Sequence, residues 1–378
     1  QINLGDFIIT NKKSIGKDDK YTNIEYLETG SISRGKITNT IKIALENAPS
    51  RARRILEDED IIYSSVRPIN RHYGFFKKPK NNFVVSTGFI TITCNKSIIY
   101  PLFLYHYLTQ DSIVEQLDAI AEGSTSAYPC LLPSDIEALE VLLPPLPEQK
   151  AIAGVLGSLD GKIDLLQRQN ATLEATAETL FRQWFIEEAQ EDWNEHFLSS
   201  IVDIKSGFAF KSSTFTESGK FYLVTIKAVQ DGYLTLVNAD RLDSIPTKMK
   251  EYCLLKKGDI LLSLTGNIGR CCMVDRDNLL LNQRVALLSP RQQRDWAAIY
   301  TLFRLSSFKN ILIDMGKGTA QSNLSPIETS NMTLLLPEQK VFDKFSKIAT
   351  PLLNKFLNNR YQIRTLEKLR DTLLPKLM

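Results

Sequence analysis

Apolar residues recur every three to four positions along two separate stretches of the chain. In the first, Ile152, Leu156, Leu159, Ile163, Leu166, Asn170, Leu173, Ala177, Leu180 and Trp184 alternate steps of four and three. In the second, Phe345, Ala349, Leu352, Phe356, Asn359, Ile363, Leu366, Arg370, Leu373 and Leu377 do the same. A 3.5-residue period keeps returning side chains to one face of a helix, which is the pattern of a coiled-coil seam. Each seam carries one Asn, a residue that costs stability and fixes register. Gly161 and Pro351 sit at equivalent offsets and predict a kink or break in each helix. The uninterrupted stretch after Gly161 is then about 24 residues, or ~36 Å at 1.5 Å per residue.

These two helices belong to a larger repeat. Pro147-Glu148-Gln149-Lys150 returns as Pro337-Glu338-Gln339-Lys340, each copy after a leucine-rich run (Val141-Leu142-Leu143 and Leu334-Leu335-Leu336). Pro at each start suits the first helical position. Upstream, Ser134-Asp135-Ile136-Glu137 matches Ser325-Pro326-Ile327-Glu328, and both read as capping boxes with a Ser N-cap. Gly123-Ser124-Thr125 resembles Gly318-Thr319. Landmarks in one order, twice, indicate a tandem duplication.

The blocks before each junction read as mixed α/β with short strands. In block one, Asp60–Ser64, Asn82–Ser86 and Phe89–Thr93 are predicted strands, and Pro101–Leu117 a helix. Block two echoes this with Gly258–Ser263, Leu279–Leu281 and Val285–Leu288, then a helix from about Trp296 to Ile313.

Charge changes the picture. Residues 147–200 hold 4 basic and 10 acidic side chains, and 337–378 hold 9 and 4, so the two helical segments favour each other over self-association. Within block one, positions 34–80 carry 11 basic against 5 acidic residues, while 111–140 carry 7 acidic and none basic. One basic face is what a nucleic-acid binder needs, because Lys and Arg neutralise phosphates. The candidate contacts lie in polar, Gly-rich loops between strands. Block one offers Arg34, Lys36, Arg67, Arg71, Lys77 and Lys78; block two offers Lys205, Lys211, Thr265, Asn267, Arg270, Gln283 and Arg284, with Lys317 and Thr319 further on. Arg pairs bidentately with guanine and Asn or Gln with adenine.

Enzyme chemistry finds little support. Gly30-Ser31-Ile32-Ser33-Arg34-Gly35-Lys36 falls one residue short of a phosphate-binding loop, with Ile37 where a Ser or Thr should ligate Mg²⁺. The five cysteines form no CxxC pair, and His72, His106 and His196 are scattered singly. No catalytic residue, metal ligand or cofactor is assigned. No apolar run reaches the ~18 residues of a membrane span and no signal-peptide pattern opens the chain, so the expected location is the cytoplasm. Residue 1 is Gln rather than Met, which leaves the native N-terminus open.

The order of variable block, LPEQ-type junction, heptad helix, second block, second junction and second helix resembles the specificity subunit of type I restriction–modification systems. Ser206-Gly207-Phe208-Ala209-Phe210-Lys211-Ser212, Gly258-Asp259-Ile260 and Asn282-Gln283-Arg284 are similar to segments of that family's target-recognition domains. The resemblance implies an α+β chain: target-recognition domains at 1–146 and 188–336, and helical spacers at 147–187 and 337–378. The spacers would pair as an antiparallel coiled coil with pseudo-twofold symmetry. It implies that each domain reads one half of a bipartite double-stranded DNA target. The helices would set the spacer and dock two methyltransferase subunits, with translocase–nuclease subunits as further partners. The competing reading is a stand-alone DNA-binding regulator whose coil spaces its heads.

Overall fold

A computed structural model of the chain describes residues 2–16, 19, 21–123, 130–190, 193–317 and 323–378. Two compact units divide it, one comprising Gln1–Lys162 with Glu367–Met378 and the other Ile163–Leu366. Each contains one globular head and parts of both long helices.

The heads share one topology. In the first, Ile8–Thr10, Phe89–Cys94, Asp60–Ser64 and Tyr73–Phe76 form a four-stranded antiparallel sheet in that order. A second sheet runs Ile41–Ala44, Asn23–Leu27, Phe83–Ser86, Ala52–Ile55, with a parallel pair at its centre. The second head repeats both orders. Val202–Ser206, Val285–Pro290, Ile260–Ser263 and Cys271–Met273 make one sheet. Arg241–Leu242, Phe221–Val224, Leu279–Leu281 and Leu254–Leu255 make the other, again with the parallel pair central. The Asp60–Ser64 and Ile260–Ser263 strands are buried along their whole length, which suits near-continuous apolar runs rather than alternation.

In both heads the first and last strands pair with each other. Ile2–Asn3 lies antiparallel to Glu140–Val141, and Asn194–Phe197 to Thr333–Leu336. Each expected head helix is two helices. Pro101–Leu108 and Asp111–Glu122 are separated where Gln110 turns extended (φ −61°, ψ 143°), and Trp296–Arg304 and Ser306–Gly316 where Leu305 does (φ −59°, ψ 129°). Ser325 caps its helix as expected, its hydroxyl accepting from the Glu328 N–H. Ser134 does not: Pro133 opens the matching helix, and Asp135 Oδ2 accepts the Leu132 N–H at 2.7 Å. Pro133, rather than Asp135, therefore corresponds to Pro326.

The long helices are continuous. Leu146–Arg182 runs 37 residues and Gln339–Leu377 runs 39, ~55 and ~58 Å. Neither helix is broken at Gly161 or Pro351, so the continuous helical stretch is longer than the sequence indicated. Pro147 is the second helical residue, whereas Pro337 precedes its helix.

In the second unit, Ile163, Leu166 and Ile363 form a buried cluster with Leu366 against it. The two seam asparagines meet: Asn359 Nδ2 donates to Asn170 Oδ1 at 3.0 Å, and Asn170 Nδ2 donates to the Phe356 carbonyl at 3.3 Å. Toward the second head the seam changes phase. Leu353 and Phe181 are buried, while Leu352, Leu173 and Leu180 are only partly so. There the helix packs into a globular core shared with Phe185, Phe342, Phe345 and Ala349, and burial at 177, 181 and 185 follows steps of four. In the first unit Leu159 and Leu373 are half-buried. Arg370, out of place in an apolar seam, ion-pairs with Asp160 Oδ1 at 2.9 Å.

Candidate nucleic-acid interface

A common frame of backbone hydrogen bonds matches the loops of the two heads residue by residue. The Ser64 hydroxyl donates to the Val66 carbonyl, as Ser263 does to Thr265. The Ser65 N–H donates to Gly88 O and the Leu264 N–H to Arg284 O. The Ser64 N–H donates to His72 O and the Ser263 N–H to Arg270 O. Val66 bridges Cys130 as Thr265 bridges Asn323. The turn Ser86-Thr87-Gly88 is thus the counterpart of Asn282-Gln283-Arg284. Even its internal bond is repeated, the third residue's N–H donating to the first residue's side chain (Ser86 Oγ at 3.1 Å, Asn282 Oδ1 at 3.3 Å).

In the second head that turn faces a cleft of about 900 Å³, lined by Ser206, Thr265, Gly266, Gln283, Arg284 and Asn323 among others. Gln283 and Arg284 are exposed, and Thr265 Oγ1 is buried without a hydrogen-bond partner among the described residues. Three of the expected contacts, Thr265, Gln283 and Arg284, are therefore brought together. Asn282 itself is buried and structural. The backbone at Gly207 passes so close to it that a Cβ there would lie 2.4 Å from the Asn282 carbonyl oxygen, which requires glycine.

The other basic residues of this head fall outside the cluster. Arg270 is half-buried, its Nη1 donating to Gln230 Oε1 at 2.6 Å. Lys205 sits 3.9 Å from Asp203 Oδ2 and 6.0 Å from the Tyr252 ring centroid. Lys317 pairs with Asp314 at 2.7 Å. Lys211 and Asn267 are exposed in loops. Thr319 lies outside the described residues, as do Ser124, Thr125 and Gly318 of the predicted repeat.

In the first head the near-miss phosphate loop folds as a hairpin, Ile32–Ser33 against Lys36–Ile37 with Arg34-Gly35 at its tip. The tip is held to the loop after Asp60–Ser64: the Arg34 N–H donates to Arg71 O at 2.8 Å and the Gly35 N–H to Tyr73 O at 2.9 Å. Arg34, Lys36, Arg67 and Arg71 are thereby gathered at one end of the sheet, and all but Arg71 are exposed. Arg71 Nη1 lies 2.7 Å from Asp111 Oδ1. Burial disfavours its charge, but Asp111 outweighs this and holds its pKa above the ordinary guanidinium value. Lys77 and Lys78 are at the opposite end of the Tyr73–Phe76 strand, where the Lys78 N–H donates to Asp58.

The hairpin has a counterpart in the second head that sequence reasoning missed. Gly232 donates to Cys271 O as Gly35 does to Tyr73 O, which sets Asp231 opposite Arg34. Asp231 pairs with Lys309 at 2.6 Å and with Arg304 at 3.3 Å. Arg304 in turn holds Glu174 of the central helix at 2.7 Å, and Tyr300 donates to the same carboxylate. The exposed cation of one head becomes a neutralised ion cluster in the other.

Among the described residues no group of His, Cys, Asp and Glu could hold a metal ion, and no helix is long and apolar enough to cross a membrane. What the loops offer is hydrogen-bond donors, in two sets, on a duplicated frame. The family model for the type I restriction modification DNA specificity domain matches residues 1–175 and again 190–362. The chain belongs to that family and carries its domain twice, in the arrangement of a specificity subunit. It is 22% identical over 437 residues to the type I restriction enzyme HindI specificity subunit of Haemophilus influenzae, across 95% of this chain and 94% of that protein. It is 28% identical over 377 residues to the MjaIX specificity subunit of Methanocaldococcus jannaschii, across 94% and 83%. The fold is like that of the type I restriction–modification S subunit from M. genitalium, with TM-score 0.60 at 19% identity over 100% of this chain and 95% of that one.

Proposed function

We propose that the chain is the non-catalytic DNA-reading subunit of a cytoplasmic type I restriction–modification complex. Each head reads one half of a bipartite duplex target through the loops described above. The two long helices act as an antiparallel coiled coil that relates the heads by a pseudo-twofold axis. They fix the length of the unread spacer and dock two methyltransferase subunits; translocase–nuclease subunits complete the assembly. In domain terms, 1–146 and 188–336 are the readers, and 147–187 and 337–378 the spacers. The observation that carries this reading is the meeting of Asn170 and Asn359 within a duplicated specificity domain. A buried polar pair at one level is a register device, and register is what a ruler needs.

Mapping the methylated sequence in the genome of the host, with and without the gene, tests it. The expected result is a gapped motif with two unequal halves that disappears on deletion, and co-purification of a methyltransferase with the chain. A continuous motif, or a chain recovered without such a partner, would overturn the reading.

A further inference from the structure

The matched loops contain one difference that packing does not explain. Arg67 and Arg71 stand at φ 46° and 57°; at the corresponding positions the second head has Gly266 and Gly269, at φ 69° and 77°. Left-handed backbone is costly for any residue with a Cβ, and glycine is the usual occupant. The second head uses it, whereas the first places arginine at both positions. Arg71 has a local reason, its ion pair with Asp111. Arg67 has none: it is exposed, and its side chain has no hydrogen bond or ion pair among the described residues. Arg34, at the hairpin tip tied to the same loop, is likewise exposed on left-handed backbone (φ 48°). Beside Arg67, Val66 and Ile69 are 42% and 47% exposed. A free guanidinium fork flanked by exposed aliphatic groups suits a guanine edge beside a thymine methyl. Left-handed backbone at an exposed residue without a side-chain partner, where the matching loop has glycine, points to a use for that side chain.

Resting on the DNA-reading function above, we propose that Arg67 is the specificity-determining base contact of the first head, with Arg34 beside it and Arg71 positioning the loop. The test is selection from a randomised duplex pool by the full chain with its methyltransferase partners present, alongside thermal melting. Arg67→Gly should weaken binding about 5- to 150-fold by loss of a guanine preference in one half-site. The other half should be unchanged, and Tm unchanged or raised by ~2 °C as the strain is relieved. Arg67→Lys, with the same charge and backbone but a point charge in place of the fork, should weaken the guanine preference while keeping non-selective binding. An unaltered motif, a loss shared by both halves, or a loss uniform across sequences would overturn the proposal while leaving the DNA-reading function standing. A wild-type chain that enriches no two-part motif would overturn both.

Discussion

The two heads are one backbone carrying two chemistries. Their sheets have the same strand orders, and their loops the same hydrogen bonds. Yet the turn that presents Gln283 and Arg284 in the second head presents Thr87 and Gly88 in the first. At the hairpin tip the contrast is reversed: Arg34 is exposed, while Asp231 is consumed by Arg304 and Lys309. Long donors therefore occupy the strand-end turn of one head and the hairpin with its neighbouring loop in the other. A duplicated frame keeps the groups that satisfy its own backbone and leaves the remaining side chains free to diverge. A loop's position in the frame does not fix which side chains it presents.

The largest test of this contrast concerns how each head is anchored. Glu174→Ala removes the closer of the two carboxylates that hold Arg304, leaving only Asp231, and strands the buried Tyr300 hydroxyl; it should cost about 3 kcal/mol. Because a chain of several parts need not unfold in one step, the measurement is amide hydrogen exchange followed head by head. Protection should fall in the second head alone; an equal fall in the first would break the comparison.

Acid should act on the opposite head. His106 is buried beside Asp160, and burial, only partly offset by Asp160, pushes its pKa down from 6.5 to about 4. The unfolded imidazole takes up a proton near pH 6.5 and the folded one resists until about pH 4. Stability is thus full above pH 6.5 and is lost as the pH falls through that window, by about 3 kcal/mol in all. Exchange protection of the first head should fall over this range, and His106→Gln should flatten the loss. A slope that survives the substitution would show that another group is responsible.

At the DNA itself the effects are smaller. Arg284→Ala should cost ~1–3 kcal/mol in binding at one half-site only, read by competition between duplexes altered in one half at a time. Equal loss at both halves would mean that the heads do not read independently. Lastly, four residues inserted in each long helix, at matched levels, should leave stability and both half-sites nearly unchanged. The spacer should grow by ~6 Å, almost two base pairs, as mapped from the methylated motif. An unaltered spacer would remove the ruler from the account.

What could be read from the sequence follows from the range of the interactions involved. The helices were legible because a 3.5-residue period persists over ten steps, and Asn170 and Asn359 stood out as polar residues on apolar faces. The seam's change of phase at Phe181 and Leu353 was not, because it is imposed by a core assembled from distant residues such as Phe342 and Phe345. Continuous apolar runs such as Asp60–Ser64 revealed central strands. The short partners Asn23–Leu27 and Phe221–Val224 escaped notice, since parallel pairing leaves no local signal. Gly161 and Pro351 predict a kink or break; neither breaks its helix, because neighbouring helical residues outweigh local propensity at one position. For the loops, residue type pointed to Gln283 and Arg284 but equally to Arg270, whose partner Gln230 only the tertiary structure supplies, and to Lys317, which pairs with its i,i+3 neighbour Asp314. The left-handed backbone at Arg67 was invisible, because glycine is the usual signal of that conformation and the sequence has arginine there.

The pairing of each head's first and last strands has a mechanical consequence. With Ile2–Asn3 zipped to Glu140–Val141, and Asn194–Phe197 to Thr333–Leu336, the loop-closure entropy of each globule is met internally. If the helices serve as the proposed spacer, residues added to them would end at a two-stranded clasp outside the sheets. Spacer and globules could then change as separate inheritances.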